Sequence, residues 1–364
     1  MRVAIVAPQV TAINEPQRGG SQAFVSDLAR GLTRRGHDVH VYAASGSDIP
    51  GAAVIDTGIN PESLAATLYR ASAPAAADPG PAEEAFASVY ARVRATRYDV
   101  VHNHAFDAPA VTLATGLDAP VVHTLHLPPD QAVAAALRRV SRDARRPAVA
   151  AVSQAQARLW REVLPVDAIL PPLVPTASIA WSRSPGTGAV FAGRLSPEKG
   201  AAQAIDIARA AGVSIDVYGD AYDADYAREQ IGPRQDLPGV AVHPGVPRTS
   251  LWTAMARAAV VLYPVAWDEP FGMAAAEAQA CGTPVVAFRR GALGEVIADG
   301  RTGFLVPPGD MQAAVGAVTE TAGISRPACR EHAEARLDLE RSLDAHEQLY
   351  RHVVGRDSGA RASA

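Results

Sequence analysis

The strongest chemical signal in the sequence is a pair of carboxylates eight positions apart, Glu269 and Glu277. They belong to the segment DEPFGMAAAEAQACGTP, in which Glu269 falls in a loop and Gly272 is predicted to open the helix that carries Glu277. The first N–H groups of such a helix have no internal partners, and a glycine there allows a ligand to approach the backbone closely. Because this helix is too apolar to face solvent, the favoured role for Glu277 is accepting hydrogen bonds from a ribose diol.

A second signal is the segment GRLSPEKG, residues 193–200, which directly follows an apolar run. It places Arg194 and Lys199 around a predicted strand-to-helix turn. A guanidinium suits bidentate phosphate binding and an ammonium supplies a compact charge, so together they would neutralise a diphosphate leaving group without a metal. The alternative is a capped helix start with surface charges. Lys199 is also the only lysine beside 33 arginines, and a GC-rich coding bias explains the arginines but not this exception.

Histidines form the third group of candidates. His102 and His104 alternate along one predicted strand, and His123 and His126 lie at and just after another. Residues i and i+2 share one face of a strand, so a metal pair is geometrically feasible, but no third ligand is evident. His126, in the loop after its strand, is the better candidate for a site residue, whereas His102 and His123 are expected to be satisfied near the sheet edge.

Composition disfavours several classes of protein. The 364 residues carry a formal net charge of −4, which offers no basic field for nucleic acid. Cys281 and Cys329 form no CxxC or Cys/His cluster, which argues against a disulfide framework or a structural zinc site. The first apolar run stops at Pro8 and suits a buried strand better than a signal peptide, and no run is long enough to span a membrane. With two thiols and no export signal, a cytoplasmic location is expected.

Two series of short apolar strands alternate with helices and position these candidates. The strands are predicted at residues 2–7, 38–43, 100–102, 120–124 and 149–152, and again at 188–192, 213–218, 240–243, 260–263 and 284–287. Such alternation predicts parallel sheets covered by helices on both faces, with ligands bound beyond the carboxyl ends of the strands. Five prolines within residues 164–185 indicate a connection between two domains. A long helical pattern at 326–351 follows the second series.

With these motifs in view, the chain resembles glycosyltransferase family 4, the retaining nucleotide-sugar transferases of GT-B fold. The resemblance rests on GGSQAFVSDLARGLTRRGHDVHVYA, GRLSPEKG and DEPFGMAAAEAQACGTPVVA and extends over residues 1–350. It implies an α/β architecture of two Rossmann-like, doubly wound parallel-sheet domains that face each other across a cleft. The expected division is an acceptor-binding domain at 1–170, a donor-binding domain at 171–335, a helix at 336–353 that crosses back to the first domain, and a disordered tail at 354–364.

The resemblance also implies roles for individual residues. Arg194 and Lys199 match the basic pair on the donor diphosphate, and Glu269 matches the carboxylate near the donor sugar hydroxyls. His126 matches the histidine of the first domain that faces the donor sugar, and these four residues are the expected catalytic group. The residues expected to bind the donor are Gly19, Gly20, Arg194, Lys199, Gly245, Val246, Glu269, Phe271, Gly272, Met273 and Glu277.

Within the donor-binding set, the resemblance places Gly19-Gly20 near the donor phosphate and the acceptor, and Gly245-Val246 beside the nucleobase. Glu277 matches the residue that binds the ribose, and Phe271-Gly272-Met273 matches the backbone around the sugar and phosphate. The chain departs from many members at Trp267-Asp268, where shorter polar residues are common. This departure does not identify the donor sugar.

The predicted function is retaining transfer of a hexose from a nucleotide diphosphate sugar to an acceptor hydroxyl on a small soluble sugar or natural product. UDP-hexose is the favoured donor because of its frequency in the family, and no cofactor or metal is expected. The missing GxGxxG after the first strand disfavours a nicotinamide-dependent dehydrogenase. Alternatives are a nucleotide-sugar epimerase of the same architecture and a non-catalytic nucleotide-sugar-binding protein.

A further alternative is an enzyme that uses a lipid acceptor at a membrane surface. It rests on a basic amphipathic segment, which would attract anionic lipid. The other interpretation of the segment is a solvated helix in an arginine-rich protein. The basic residues concerned are Arg138, Arg139, Arg142, Arg145 and Arg146.

Overall fold

The computed structural model describes residues 1–67, 80–143 and 145–362 and divides the chain into two compact units. Unit 1 comprises Met1–Asn14, Ser21–Pro171 and Ser342–Ala364, and unit 2 comprises Glu15–Gly20 and Pro172–Arg341. The last two residues of the predicted tail, 363 and 364, lie outside the described residues.

Unit 1 is built, within the described residues, on a seven-stranded parallel sheet. The central strands are apolar and buried on both faces, as the pattern of a parallel sheet predicts. In spatial order β3-β2-β1-β4-β5-β6-β7, the strands are β1 (Arg2–Val6), β2 (Asp38–Ala43), β3 (Ala53–Asp56), β4 (Val100–Asn103), β5 (Val121–Leu125), β6 (Ala148–Ala151) and β7 (Ala168–Ile169). The first helices are α1 (Gly20–Arg34), α2 (Gly80–Arg94), α3 (Ala108–Thr112), α4 (Gln131–Val140) and α5 (Gln154–Arg161).

Unit 2 repeats the arrangement with a six-stranded parallel sheet among the described residues. In spatial order β10-β9-β8-β11-β12-β13, the strands are β8 (Ala189–Ala192), β9 (Ile215–Tyr218), β10 (Val240–His243), β11 (Val260–Tyr263), β12 (Val285–Phe288) and β13 (Gly303–Val306). The helices are α6 (Ala201–Ala210), α7 (Ala224–Tyr226), α8 (Gly232–Gln235), α9 (Arg248–Arg257), α10 (Met273–Ala280), α11 (Leu293–Val296), α12 (Met311–Glu320) and α13 (Arg326–Arg336). Phe191, Ile205 and Leu262 belong to its main hydrophobic core.

Both sheets have the strand order of a doubly wound fold, which confirms the predicted fold class of each half. The order reverses between β1 and β4 in unit 1 and between β8 and β11 in unit 2. Ligands of open parallel sheets bind beyond the carboxyl ends of the strands at such a reversal. In unit 2, the segment with Arg194 and Lys199 follows β8, and the segment with Glu269 follows β11.

The C-terminal region differs from its prediction in two respects. The helical pattern at 326–351 is two helices, because the chain pairs with Val174 between them: Val174 N donates to Leu337 O at 2.8 Å, and Leu339 N donates to Val174 O at 2.9 Å. The second helix, α14, runs over Leu339–Ala362, so the structure continues a helix where disorder was predicted at 354–364. From Ser342 onward this helix belongs to unit 1.

Within the described residues, the sequence pattern missed three strands, and all three lie at sheet edges. Ala53–Asp56 and Ala168–Ile169 are the two edges of the first sheet, and Gly303–Val306 is an edge of the second. An edge strand has one unpaired side and needs no continuous apolar run, so its signal is weak. Ala168–Ile169 is also only two residues long and lies within the proline-rich stretch that predicted a connection.

The packing of α14 on α1 yields a stability prediction with an internal control. A Cβ on Gly31 would lie 2.7 Å from Leu343 Cδ1, whereas a Cβ on Gly316, in α12, would meet no atom within 4 Å. Gly31→Ala should therefore overpack the buried contact at a cost of about 1–3 kcal/mol. Gly316→Ala, at an exposed position of α12, should stabilise that helix by about 0.5–1 kcal/mol. Thermal melts of both variants test this, and a Gly31→Ala protein at least as stable as wild type would refute the packing argument.

Candidate functional site

The turn after β8 is fixed against the loop after β11. A short helical turn, Pro197–Lys199, ends at Gly200, whose φ of +76° is left-handed and favours glycine. A Cβ there would lie 2.2 Å from Pro264 O, so only glycine allows this approach. Ala266 N also donates to Glu198 O at 2.9 Å. The two segments that carry the predicted basic pair and the first carboxylate are therefore held together through their backbones.

Lys199 and Glu269 form an ion pair at the centre of this junction. Lys199 Nζ lies 2.7 Å from Glu269 Oε2, and both side chains are largely buried. Trp267 Nε1 donates to the same oxygen at 2.7 Å, and its ring lies 4.7 Å from Lys199 Nζ. Burial, together with the charge and hydrogen bonding of Glu269, raises the pKa of Tyr263 well above its ordinary value. The sequence predicted separate roles for Lys199 and Glu269 and missed their contact and the contribution of Trp267.

Arg194 is held on the same turn by a carboxylate and an aromatic ring. Its Nη2 lies 3.2 Å from Glu198 Oε1, and its guanidinium carbon lies 4.1 Å from the centre of the Tyr222 ring. The side chain keeps about a quarter of its surface exposed. Arg194 and Lys199 thus present two cations within one turn, as the spacing in GRLSPEKG predicts.

Gly272 opens α10, as the sequence predicts. Its φ of +100° is left-handed, and a Cβ would lie 2.6 Å from Leu293 Cδ2. Phe271 before it is buried. Gly20 belongs to the Glu15–Gly20 segment of unit 2 and lies close to the start of α10. A Cβ on Gly20 would lie 3.6 Å from Met273 Sδ. Gly19 precedes it in the same segment.

Glu277 is buried in α10 and paired with an arginine that the sequence analysis missed. Arg248 Nε and Nη2 lie 2.9 and 2.7 Å from Glu277 Oε1, and both residues are over nine-tenths buried. The Arg248 guanidinium also lies 5.0 Å from the Trp252 ring, and its backbone N donates to Glu15 Oε2 at 3.1 Å. No local spacing reveals a pair that is 29 positions apart.

Gly245 and Val246 follow β10 and lead directly into α9. Gly245 N donates to Asp220 Oδ1 at 2.9 Å, which fixes the loop. Arg248 begins α9 three residues later. The predicted nucleobase segment is therefore followed along the chain by Arg248, which binds the predicted ribose residue, and the predicted site residues other than His126 all belong to unit 2.

His126 lies in unit 1, in the loop after β5, and is joined to a second histidine. Its Nε2 lies 3.0 Å from His104 Nδ1, and the Phe24 ring contacts both imidazoles. Burial, reinforced by His346, lowers the pKa of His126 to about 3. The imidazole is therefore neutral near pH 7 and can accept or donate a hydrogen bond without carrying charge.

Further histidines surround this pair, and His346 of α14 was not anticipated. His102 Nδ1 lies 2.6 Å from Tyr350 Oη, and its Nε2 lies 2.7 Å from Thr124 Oγ1, so this imidazole is satisfied as predicted. The same prediction is wrong for His123: its Nδ1 lies 3.1 Å from Asn103 Nδ2, but its buried Nε2 has no partner in the described part of the chain. Burial lowers the pKa of His346 to about 4. In the part of the chain that the structure describes, no group of three or more His, Cys, Asp or Glu residues is arranged to hold a metal ion.

The helix predicted to carry all five arginines between residues 138 and 146 ends before three of them. Helix α4 ends at Val140 and includes only Arg138 and Arg139, both exposed. Arg145 and Arg146 lie in the loop before β6 and are ion-paired with Asp357 and Asp167 at 2.7 and 2.8 Å. The described helices include none with the length and apolar character to cross a membrane.

Comparisons with known proteins agree with this geometry. Residues 18–177 match the family Glycosyltransferase Family 4, and residues 185–328 match Glycosyl transferases group 1. The chain is 30% identical to the D-inositol 3-phosphate glycosyltransferase of Xylanimonas cellulosilytica, with 84% of each chain covered. It is also 30% identical to the phosphatidyl-myo-inositol mannosyltransferase of Mycolicibacterium smegmatis, with 85% of this chain and 82% of the relative covered.

Solved structures share the fold at lower identity. Sucrose-phosphate synthase from Thermosynechococcus elongatus superimposes with a TM-score of 0.79 at 18% identity, over 98% of this chain and 100% of that one. HepE from Anabaena, in complex with UDP and glucose, gives 0.72 at 20% identity, over 96% and 99%. On these matches, the chain belongs to glycosyltransferase family 4 and is a glycosyltransferase with the two parallel-sheet α/β domains of the GT-B fold.

Proposed function

We propose that this glycosyltransferase moves a hexose from UDP-hexose to a hydroxyl of a small-molecule acceptor with retention of configuration. The observation that carries the proposal is the arrangement of Arg194 and Lys199 on one turn beside Glu269, at the strand reversal of unit 2. A solved structure of HepE at the same fold contains UDP-glucose, which supports the choice of donor. The small-molecule acceptor agrees with a relative named for D-inositol 3-phosphate.

In this proposal the two cations stabilise the leaving diphosphate. The bond between the anomeric carbon and the β-phosphate oxygen breaks as the acceptor oxygen bonds to the same face of that carbon. The acceptor proton goes to the departing phosphate oxygen. Lys199 uses one of its three N–H donors on Glu269, and the remaining donors and the Arg194 guanidinium meet the negative charge that develops.

Glu269 and Glu277 bind the donor's hydroxyl groups in this proposal. Lys199 and Trp267 fix the carboxylate of Glu269 in one orientation before the sugar arrives, and Arg248 does the same for Glu277. A pre-oriented acceptor loses little entropy on binding, which favours tight donor recognition. The buried Arg248–Glu277 pair also offsets the desolvation of each charge.

The first test is incubation of the protein with UDP-glucose, alone and with sugar or polyol acceptors. Transfer to an acceptor with an α-linked product supports the proposal, because UDP-glucose is itself an α-glycoside. Formation of an epimerised UDP-sugar without acceptor would instead identify an epimerase. UDP binding with no transfer to any acceptor would favour a non-catalytic binding protein.

Replacement of the lysine is expected to damage the chemical step. Lys199→Ala should lower kcat about 100-fold or more, since loss of one electrostatic donor to a developing anion costs roughly 3–4 kcal/mol. Lys199→Arg should also lose activity, because the planar guanidinium does not replace a compact ammonium between Glu269 and Trp267. Arg209→Ala, on the exposed end of α6, is the matched control. A kcat of Lys199→Ala close to that of wild type would contradict the proposed role.

The buried arginine is expected to control donor affinity. In Arg248→Met, Glu277 loses the guanidinium that orients its buried carboxylate. We expect the KM for UDP-hexose to rise at least about tenfold with a smaller change in kcat, since the carboxylate is no longer held to accept from both ribose hydroxyls. Arg257→Met at the end of the same helix should leave KM unchanged. An unchanged KM in Arg248→Met would contradict this role for Arg248.

The neutral histidine yields a prediction about pH. With a pKa of about 3, His126 does not titrate near neutral pH, so the acid side of the kcat profile should show no histidine ionisation close to 6.5. His126→Ala should lower kcat and leave the shape of the profile unchanged between pH 5.5 and 8. A wild-type ionisation near 6.5 that disappears in the variant would refute the neutral role.

A further inference from the structure

His104 lies beside His126 at the point where the strand order of unit 1 reverses. It is the first residue after β4, and its backbone N donates to Val6 O, at the end of β1, at 2.8 Å. His126 is the first residue after β5, the strand on the other side of β4. Ligands of open parallel sheets bind beyond the carboxyl ends of the strands at such a reversal. The two imidazoles therefore lie at the edge of the first sheet where a ligand is expected.

The two rings differ in what they expose. His104 is fully buried, whereas His126 keeps part of its surface exposed. The 3.0 Å bond between His104 Nδ1 and His126 Nε2 occupies one nitrogen of His126. The other nitrogen, Nδ1, makes no hydrogen bond within the described part of the chain, and it is not enclosed by protein atoms. Nδ1 is therefore the nitrogen of His126 that can meet a ligand.

The surroundings of His104 hold its ring in one place. The ring centre lies 4.0 Å from that of His102, whose two nitrogens bond to Tyr350 and Thr124. The Phe24 ring meets the His104 ring edge-on, with 5.4 Å between the centres. Because these neighbours restrict the ring, its hydrogen bond also restricts the imidazole that it contacts.

The second nitrogen of His104 indicates that filling space is not the purpose of this side chain. His104 Nε2 is buried and has no partner in the part of the chain that the structure describes. Such a group costs about 1–3 kcal/mol, a cost that an apolar side chain of similar volume would avoid. Among the described residues, the bond to His126 is the one hydrogen bond of this side chain. That bond is what a histidine supplies here and a leucine would not.

The hydrogen bond also links the tautomers of the two rings. Burial, reinforced by the neighbouring imidazoles, holds the pKa of His104 well below its ordinary value, so both rings are neutral and carry one proton each. If His104 Nδ1 donates, the proton of His126 resides on its Nδ1. If His126 Nε2 donates, its Nδ1 presents a lone pair. The direction of this one bond thus sets whether the free nitrogen of His126 donates or accepts.

We propose that His104 is a positioning residue for the donor sugar, because it holds His126 Nε2 and thereby directs His126 Nδ1 to a hydroxyl group of that sugar. This inference rests on the proposed function, in which His126 faces the donor sugar. A ring that is already oriented loses little entropy when the sugar binds. The contribution of His104 therefore appears in the affinity for the nucleotide sugar and is absent from the affinity for UDP, which has no sugar to contact.

The test compares two replacements of His104 in the full chain by calorimetry with UDP-glucose and with UDP. His104→Leu fills the space without the bond, and His104→Asn keeps an amide group near the position of Nδ1. His104→Leu should weaken UDP-glucose binding about three- to tenfold, as expected for the loss of one hydrogen bond, and leave UDP binding unchanged. His104→Asn should recover most of that loss. His352→Leu, exposed on α14, is the control and should bind both ligands as wild type does.

A second pair of measurements separates positioning from packing. In a His126→Ala background, His104→Leu should cause no further loss of UDP-glucose affinity, because the ring that it positions is gone. In spectra of protein labelled with ¹⁵N-histidine, the His126 signals are identified by their loss in His126→Ala. These signals should show one tautomer in wild type and move toward the averaged tautomers of a free imidazole in His104→Leu.

Several outcomes would overturn the inference. Wild-type affinity for UDP-glucose in His104→Leu or in His126→Ala would show that the pair does not contact the sugar. An equal loss from His104→Leu with and without the His126 ring would show that His104 acts through packing. A His126 spectrum unchanged by His104→Leu would show that the bond does not hold the ring. Failure of the wild-type protein to bind UDP-glucose would instead contradict the proposed donor, and the spectra would then decide whether His104 positions His126.

Discussion

The ion pair between Lys199 and Glu269 is the contact on which the unit 2 site depends. Two largely buried charges 2.7 Å apart offset each other's desolvation, and removal of either would leave an uncompensated charge in a poorly solvated place. The Trp267 indole adds a donor to the same carboxylate oxygen and an aromatic face beside the ammonium. The pair therefore fixes the position of both groups without a bound ligand.

The backbone around the pair explains why its geometry is rigid. The Lys199 turn is joined to the loop after β11 by the Glu198–Ala266 hydrogen bond and by the close approach of Gly200 to Pro264. On the other side, Ala292 N donates to Glu269 O at 2.8 Å. The functional side chains thus project from loops that parallel strands and backbone hydrogen bonds hold in place. Such preorganisation suits a reaction whose main demand is stabilisation of a developing anion.

Local sequence patterns predicted the strands and the helix start that neighbouring residues in the sequence determine. Strand β11 was predicted at its observed bounds because a buried parallel strand is a continuous apolar run, and β2 and the half-buried edge strand β10 were predicted at theirs as well. The helix start at Gly272 followed from the glycine before an alanine-rich segment. Edge strands such as β3 were missed, since half of their pairing is absent and their apolar signal is short.

Contacts in the site between residues far apart in the sequence could not be predicted from local patterns. Arg248 and Glu277 are 29 positions apart, and His346 reaches the histidines of unit 1 from the last helix. The break between α13 and α14 likewise arises from pairing with Val174, more than 160 positions earlier. No helical or strand periodicity encodes such contacts, so the residues that position Glu277 and His126 become visible only when the chain is folded.

The position of the single lysine now has a steric explanation. Among 33 arginines, the composition alone would favour a guanidinium at residue 199. The ammonium there lies 2.7 Å from one carboxylate oxygen and 4.7 Å from the Trp267 ring, with 13% of the side chain exposed. A guanidinium is a wider, planar group with a fixed fork of donors and would not occupy this space without moving the carboxylate or the indole. The geometry of the pair therefore explains why the charge at this position is a compact one.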